Sequence, residues 1–210
     1  MMPSRAPKEQ SKTMTMPTIT VPERGDPAPD CTLLDKQGQP IALSTYWMQR
    51  MSVFVFLRHF ACPHCRAQVS ELAEATQAVE AAGLGVVLIG LGKPDKAQRF
   101  KDEMGTSFPV LCDTQKASYA AYGLQAMNIF RQTTPREITA LLADRSKAGG
   151  TIISLQEDMM QLGGTFVIDR SGTIRFAHRG IRIGERPTIA ALLDAAASPL
   201  DDDQADHRVA

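Results

Sequence analysis

The chain has 210 residues, equal numbers of acidic and basic residues, and 43% hydrophobic residues. That length and composition allow one domain with a substantial core, and the balanced charge argues against nucleic acid as the main partner. The longest apolar stretches, such as Val53–Leu57 and Val86–Leu91, are far too short to cross a bilayer. The polar N-terminus, Met1 to Arg5, has no apolar secretion core, so we expect a cytoplasmic protein without a membrane partner.

Both ends of the chain are predicted to be disordered. Residues 1–23 are mostly polar with several prolines and threonines, and residues 198–210 form an acidic tail that contains Asp201-Asp202-Asp203. Residues 24–197 between them are expected to form one domain.

The first half of this domain alternates strands and helices. Thr32–Asp35 and Pro40–Leu43 flank a Gly38 turn and are predicted to form a hairpin. The apolar run Val53–Leu57 predicts a central strand, and apolar residues at helical spacing predict one helix from Cys62 to Ala82. Further along, a strand, a helix, a strand and a helix are predicted at Val86–Leu91, Lys96–Met104, Phe108–Leu111 and Lys116–Tyr122.

The second half is predicted to hold a helix, a hairpin and a last helix. The helix spans Arg136–Asp144, the strands Thr165–Ile168 and Thr173–Ala177 form the hairpin, and Pro187 starts a helix that ends at Ala195. The order is a β-α-β unit, then a helix, a hairpin and a final helix. This order predicts an α/β protein of thioredoxin-like fold, with a central mixed sheet flanked by helices on both faces.

Two cysteines three residues apart, Cys62 and Cys65, stand where the central strand leads into a helix. Pro63 suits the first helical position, which places Cys62 at or near the N-cap. Free backbone N–H groups and the helix dipole stabilise a thiolate there, and the thiolate is the reactive form of cysteine. Since Cys65 lies one turn further on, we expect Cys62 to be the exposed sulfur and Cys65 the buried one. The spacing predicts a pair that cycles between dithiol and disulfide.

Basic residues surround the pair. Arg58, His59, His64 and Arg66 add positive charge near the sulfurs, which favours the thiolate. His59 and His64 are candidates for a general acid, for electrostatic tuning of the thiolate, or for plain solvent-facing positions.

Two other interpretations of the pair stay open. The cysteines could be inert buried thiols, or they could bind zinc together with His64 and a distant Cys112 or His178. No second closely spaced ligand pair is present, so no metal is predicted. Cys112 and Cys31 are predicted to pack as small hydrophobic residues. No glycine-rich phosphate loop is present, so no bound cofactor is expected.

Several motifs resemble the peroxiredoxin-like proteins, the alkyl hydroperoxide reductase/thiol-specific antioxidant branch of the thioredoxin-fold superfamily. The resemblance covers about Gly25 to Ala195 and is strongest at the cysteine pair. The motifs are Gly25-Asp-Pro-Ala-Pro29-Asp with Leu33-x-Asp35-x-x-Gly38, Phe56-Leu-Arg-His-Phe-Ala-Cys62-Pro-His-Cys65-Arg66, Phe108-Pro-Val-Leu-Cys-Asp113, Tyr119-x-x-Tyr122-Gly123-Leu, and Gln161-Leu-Gly-Gly-Thr-Phe-Val-Ile-Asp169 with Gly172-x-Ile174.

The resemblance gives the attacking role to a different sulfur depending on which of two families is compared. Peroxiredoxins carry Thr-X-X-Cys, and on that match Cys65 takes the position that attacks peroxide while Cys62 replaces the threonine. Thioredoxins attack with the first cysteine, here Cys62, and carry a cis-proline where this chain has Gly164-Thr165. The missing proline is like peroxiredoxins, and it makes Thr165 a candidate supporting residue.

The resemblance implies a thiol-dependent oxidoreductase, an antioxidant enzyme that reduces a peroxide or a disulfide. A thioredoxin- or glutathione-type donor would regenerate it, and a homodimer is possible. Pro63-His64 between the cysteines is also the dipeptide of strongly oxidising disulfide-forming enzymes, a minor alternative. The rival classes are a thioredoxin-like protein disulfide oxidoreductase, a non-catalytic redox sensor or binding module, and a small zinc-binding protein.

Overall fold

The structure is a computed structural model and describes residues 20–127 and 160–199. The predicted helix Arg136–Asp144 and most of the two predicted disordered ends lie outside the described residues. The strands are β1 Thr32–Leu34, β2 Pro40–Ala42, β3 Ser52–Phe56, β4 Gly85–Gly90, β5 Val110–Cys112, β6 Gly164–Ile168 and β7 Ile174–Arg179. The helices are α1 Ser44–Trp47, α2 Pro63–Glu74, α3 Thr76–Ala81, α4 Pro94–Met104, α5 Ala117–Ala121 and α6 Ile189–Ala197.

The strands form one mixed sheet in the order β2-β1-β5-β4-β3-β6-β7. The pairs β3–β4 and β4–β5 are parallel, and the other pairs are antiparallel. All five residues of β3 are buried between β4 and β6, which confirms the predicted central strand. Because β3 is central, the loop that follows it lies near the middle of one end of the sheet.

Helices cover both faces of the sheet, as predicted. Successive residues of β3 alternate between two cores, with Val53 and Val55 in one and Phe54 and Phe56 in the other. The first core is completed by buried residues of α2, α3, α4 and α6, namely Val69, Leu72, Val79, Phe100 and Leu192. The second core is completed from α1 and α5 by Trp47 and Tyr119. The thioredoxin-like arrangement is therefore present.

The single helix predicted from Cys62 to Ala82 is wrong, since the chain forms α2 and α3 with a break at Ala75. Ala75 has φ −88° and ψ 8°, and the hydroxyl of Thr76 donates to the carbonyl of Ala73 at 2.7 Å. A hydroxyl that bonds back to the preceding turn bends a helix. The break leaves the first turn of α2, which carries the cysteines, unchanged.

Several other elements differ from the prediction at their bounds, and one helix was not predicted. The short helix α1, whose Trp47 packs against Phe54 with ring centroids 5.8 Å apart, was not predicted. Helix α4 starts at Pro94, two residues early. Helix α6 starts after Thr188, whose side chain accepts from Ala191 N–H at 3.2 Å, rather than at Pro187.

Within residues 20–127 and 160–199, no helix is long and apolar enough to cross a membrane.

Candidate active site

The cysteine pair lies at the junction between the central strand and α2. Cys62 is the N-cap of α2, with extended backbone angles of φ −70° and ψ 120°, and Pro63 is the first helical residue. Cys65 follows within the first turn. The sequence predicted this placement, which puts the backbone N–H of Cys65, in the first turn of α2, within hydrogen-bond reach of the Cys62 sulfur at the positive end of the helix.

Both sulfurs are buried, which corrects the expectation that Cys62 is exposed. Cys62 is 1% exposed and Cys65 is 6% exposed. The segment that leads into α2 encloses Cys62: its N–H donates to the carbonyl of His59 at 3.1 Å, and it shares a buried cluster with Phe60. Cys62 is therefore no more accessible than Cys65.

Arg58 contacts both sulfurs. Its Nη1 donates to Cys62 Sγ at 3.6 Å, and its backbone N–H donates to Cys65 Sγ at 3.3 Å. The side chain is held in place through Nε, which donates to the carbonyl of Gln161 at 3.1 Å. A buried, fixed guanidinium beside a thiol favours the thiolate.

The pair shares one proton unequally. The Cys65 thiol and backbone N–H both hydrogen-bond Cys62 and lower its pKa, and the positive charges of Arg58 and His59 lower it further against the opposing effect of burial. The hydrogen bond to Cys62, burial, and the negative charge on Cys62 raise the pKa of Cys65. The resting pair therefore carries its negative charge on Cys62 and its proton on Cys65.

A cleft of about 370 Å³, part of it open to solvent, reaches Cys65. Its wall is formed by the end of β3, the start of β6, the first turns of α2 and a loop after β7, through Phe56, Arg58, His64, Gln68, Gly163, Gly164, Thr165, Arg182, Gly184, Glu185 and Arg186. We call it the Cys65 cleft. Cys62 does not line it, so a small molecule in the cleft meets Cys65 first.

The structure brings the predicted supporting residues together around the pair. His59 is buried at 6% exposure, whereas His64 is exposed and lines the Cys65 cleft. Thr165 is buried in the cleft wall, and its hydroxyl accepts from Gln68 Nε2 at 3.2 Å. Arg66 instead pairs with Glu103 of α4 at 2.8 Å.

The other two cysteines lie in the cores, as predicted. Cys112 ends β5 at 1% exposure, and burial raises its pKa to about 12. Cys31 is half-buried, and burial together with the charges of Asp113 and Asp30 raises its pKa. Among the described residues, no three His, Cys, Asp or Glu side chains are placed to share a metal ion.

Sequence reasoning missed the role of Gln161. Its carbonyl holds Arg58, and its buried side-chain amide donates to the carbonyls of Leu124, Gln125 and Leu162. In the sequence Gln161 stands out only as part of a motif, because no local pattern indicates a contact with Arg58 across 103 positions. The nearby Gly163 is required, since an added Cβ would lie 2.4 Å from the carbonyl oxygen of Phe56.

The AhpC/TSA family model matches residues 24–177, which is most of the chain. The chain belongs to the AhpC/TSA family. Its membership and the buried cysteine pair agree with the thiol-dependent redox function that the resemblance implied.

Individual relatives of this AhpC/TSA protein are distant. It is 25% identical over 198 residues to peroxiredoxin-like 2C of Mus musculus, with 88% of each chain covered. It is 38% identical over 89 residues to the chloroplastic thioredoxin-like protein AAED1 of Arabidopsis thaliana, which covers 42% of this chain and 36% of that protein. A crystal structure of peroxidoxin BcpB from Mycobacterium tuberculosis superposes with a TM-score of 0.61 at 19% identity, covering 84% of this chain and 95% of that one. At this identity the superposition supports the fold alone.

Proposed function

We propose that this protein is a thiol peroxidase in which Cys65 attacks a peroxide and Cys62 completes a disulfide with it. The observation that carries the proposal is the Cys65 cleft, which reaches Cys65 and not Cys62. A peroxide is small enough to enter such a cleft, whereas the disulfide of a folded protein is not.

The reaction starts with a proton shift. The hydrogen bond from the Cys65 thiol to Cys62 gives the proton a path to the Cys62 thiolate. This transfer runs against the pKa order of the pair, so the nucleophile is the minor fraction in which Cys65 is the thiolate and Cys62 the thiol. The backbone N–H of Arg58, 3.3 Å from Cys65 Sγ, stabilises the charge on Cys65. Cys65 then attacks the peroxide, the O–O bond breaks, and the alkoxide takes a proton from water to leave as an alcohol. Cys65 is left as sulfenic acid.

The second step forms the disulfide. The Cys62 sulfur attacks the sulfenic sulfur, the S–O bond breaks, and the hydroxyl leaves as water with the proton released from the Cys62 thiol. The net change is the singly protonated pair, one peroxide and one proton taken from water, converted to one disulfide, one alcohol and one water. A thioredoxin- or glutathione-type thiol donor would reduce the disulfide again by thiol–disulfide exchange.

A specific observation also favours protein disulfide exchange as a second function. The lowered pKa of Cys62 makes it the resting thiolate, which is the sulfur that attacks in a thioredoxin. Because Cys62 is 1% exposed, this activity would require the segment around Phe60 to move away first.

Turnover separates an enzyme from a sensor. Hydrogen peroxide consumption is followed with dithiothreitol as the thiol donor, for the wild type, Cys65→Ser and the core control Cys112→Ser. We expect many equivalents of peroxide to be consumed by the wild type and Cys112→Ser, and none above background by Cys65→Ser. Consumption that stops at one equivalent per chain would indicate a redox sensor. Insulin disulfide reduction without peroxide turnover would favour the second function.

A further inference from the structure

One wall of the Cys65 cleft is a short loop, residues 180–186, between β7 and the segment that enters α6. Its Arg182, Gly184, Glu185 and Arg186 all line the cleft. The loop is ordered internally by Glu185, whose Oε2 accepts the backbone N–H groups of Ile181 at 2.9 Å and Arg182 at 3.1 Å. These two hydrogen bonds make the loop a locally ordered unit.

Two contacts fix this 180–186 loop to α2. The guanidinium of Arg186 binds the carboxylate of Glu71 through two parallel hydrogen bonds, with Nε 3.1 Å from Oε2. An added Cβ at Gly184 would lie 2.9 Å from Nδ1 of His64, so the His64 ring packs directly on this glycine. Both contacts fix the loop against α2, the helix whose first turn carries Cys65.

The Glu71 pair holds the loop without touching the reacting sulfur. Glu71 does not line the cleft, and the pair is partly exposed to solvent. The two parallel hydrogen bonds fix the orientation of the ion pair, while its exposure to solvent keeps the interaction weak enough to break and re-form readily.

We propose that the 180–186 loop, strapped to α2 by Arg186 and Glu71, sets the size of the molecule that reaches Cys65. A small peroxide passes the closed loop. A bulky hydroperoxide or a bulky thiol reagent reacts only when the Arg186–Glu71 pair breaks and the loop moves away from α2. Its rate follows the fraction of molecules with the loop in that open position. The peroxide part of this inference rests on the proposed function, whereas the accessibility of Cys65 does not.

The test removes the charge of Glu71 and keeps its shape. Glu71→Gln is compared with Glu103→Gln, which breaks the equivalent exposed pair with Arg66 away from the cleft. Rates are measured with hydrogen peroxide and with cumene hydroperoxide. We expect Glu71→Gln to raise the cumene hydroperoxide rate about two- to fivefold, as expected for loss of one exposed ion pair, with the hydrogen peroxide rate unchanged. Glu103→Gln should change neither rate.

A second readout does not depend on peroxidase activity. In the Cys62→Ser background, alkylation of Cys65 by iodoacetamide and by a bulky N-aryl maleimide is timed by mass spectrometry, with and without Glu71→Gln or Gly184→Ala. Either substitution should raise the maleimide rate relative to the iodoacetamide rate by about two- to fivefold. If no variant turns over peroxide but this ratio rises, the loop proposal stands and the proposed function fails. An unchanged ratio in both substitutions, or an equal rise in Glu103→Gln, overturns the loop proposal.

Discussion

The guanidinium of Arg58 lies 3.6 Å from the sulfur of Cys62, and the backbone N–H of the same residue lies 3.3 Å from the sulfur of Cys65. One buried residue thus supports negative charge on either member of the pair. This dual support suits a site where the charge rests on one sulfur and the substrate meets the other.

Replacing Arg58 by glutamine should raise the pKa of Cys62, because a positive charge that favours the thiolate is lost. At a pH around the native pKa of Cys62, its thiolate fraction should fall by about three- to tenfold. Thiolate absorbance titrated in the Cys65→Ser background measures the pKa and the thiolate fraction. Arg66→Gln, which removes a guanidinium paired with Glu103, is the control. An Arg66→Gln effect as large as that of Arg58→Gln would contradict the role of Arg58.

Replacing Gln161 by leucine should destabilise the fold and loosen Arg58. Three backbone carbonyls lose their amide donor, which should lower the free energy of unfolding by about 1–3 kcal/mol. The pKa of Cys62 should rise in the same variant, because the Gln161 carbonyl no longer holds Arg58 firmly. Urea unfolding and thiolate titration provide the two measurements.

Gln98→Leu is the matched control for Gln161, since the side chain of Gln98 bonds to Asp102 at the surface. It should change stability by less than about 0.5 kcal/mol. Loss of stability in Gln161→Leu with an unchanged pKa of Cys62 would make Gln161 purely structural.

The stability of the reduced protein should rise with pH through the neutral range. In the native state the pKa of Cys62 is lowered, whereas a cysteine in the unfolded chain has a pKa of about 8.5. Between these two pKa values the unfolded chain binds more protons, so the free energy of unfolding gains up to about 1.4 kcal/mol per pH unit. This contribution is complete above about pH 8.5 and is lost as pH falls through the native pKa. The raised pKa of Cys65 reverses the slope only above about pH 8.5.

Urea titrations of the reduced wild type and Cys62→Ser at several pH values between 5 and 8 measure this slope. The difference between the two proteins isolates Cys62 from the histidines. Equal slopes in both proteins would show that Cys62 is protonated in the native state.

The sequence predicted what depends on local pattern. The apolar run at β3 and the Cys62-Pro63 step gave the central strand and the N-cap, because burial and proline geometry act within a few residues. The burial of Cys62 was not predictable, since it follows from the packing of Phe60 and Arg58 over the sulfur. Gln161 and the 180–186 loop reach the pair only through the folded sheet, and no short-range pattern records such contacts.

The most direct test of the central claim identifies the sulfur that peroxide oxidises. Cys62→Ser and Cys65→Ser are each treated with hydrogen peroxide and a sulfenic-acid trap, and the modified residue is located by mass spectrometry. We expect trapped sulfenic acid on Cys65 in Cys62→Ser, and little or none on the buried Cys62 in Cys65→Ser. Sulfenic acid that forms readily on Cys62 and not on Cys65 would contradict it and assign the attack to the first cysteine.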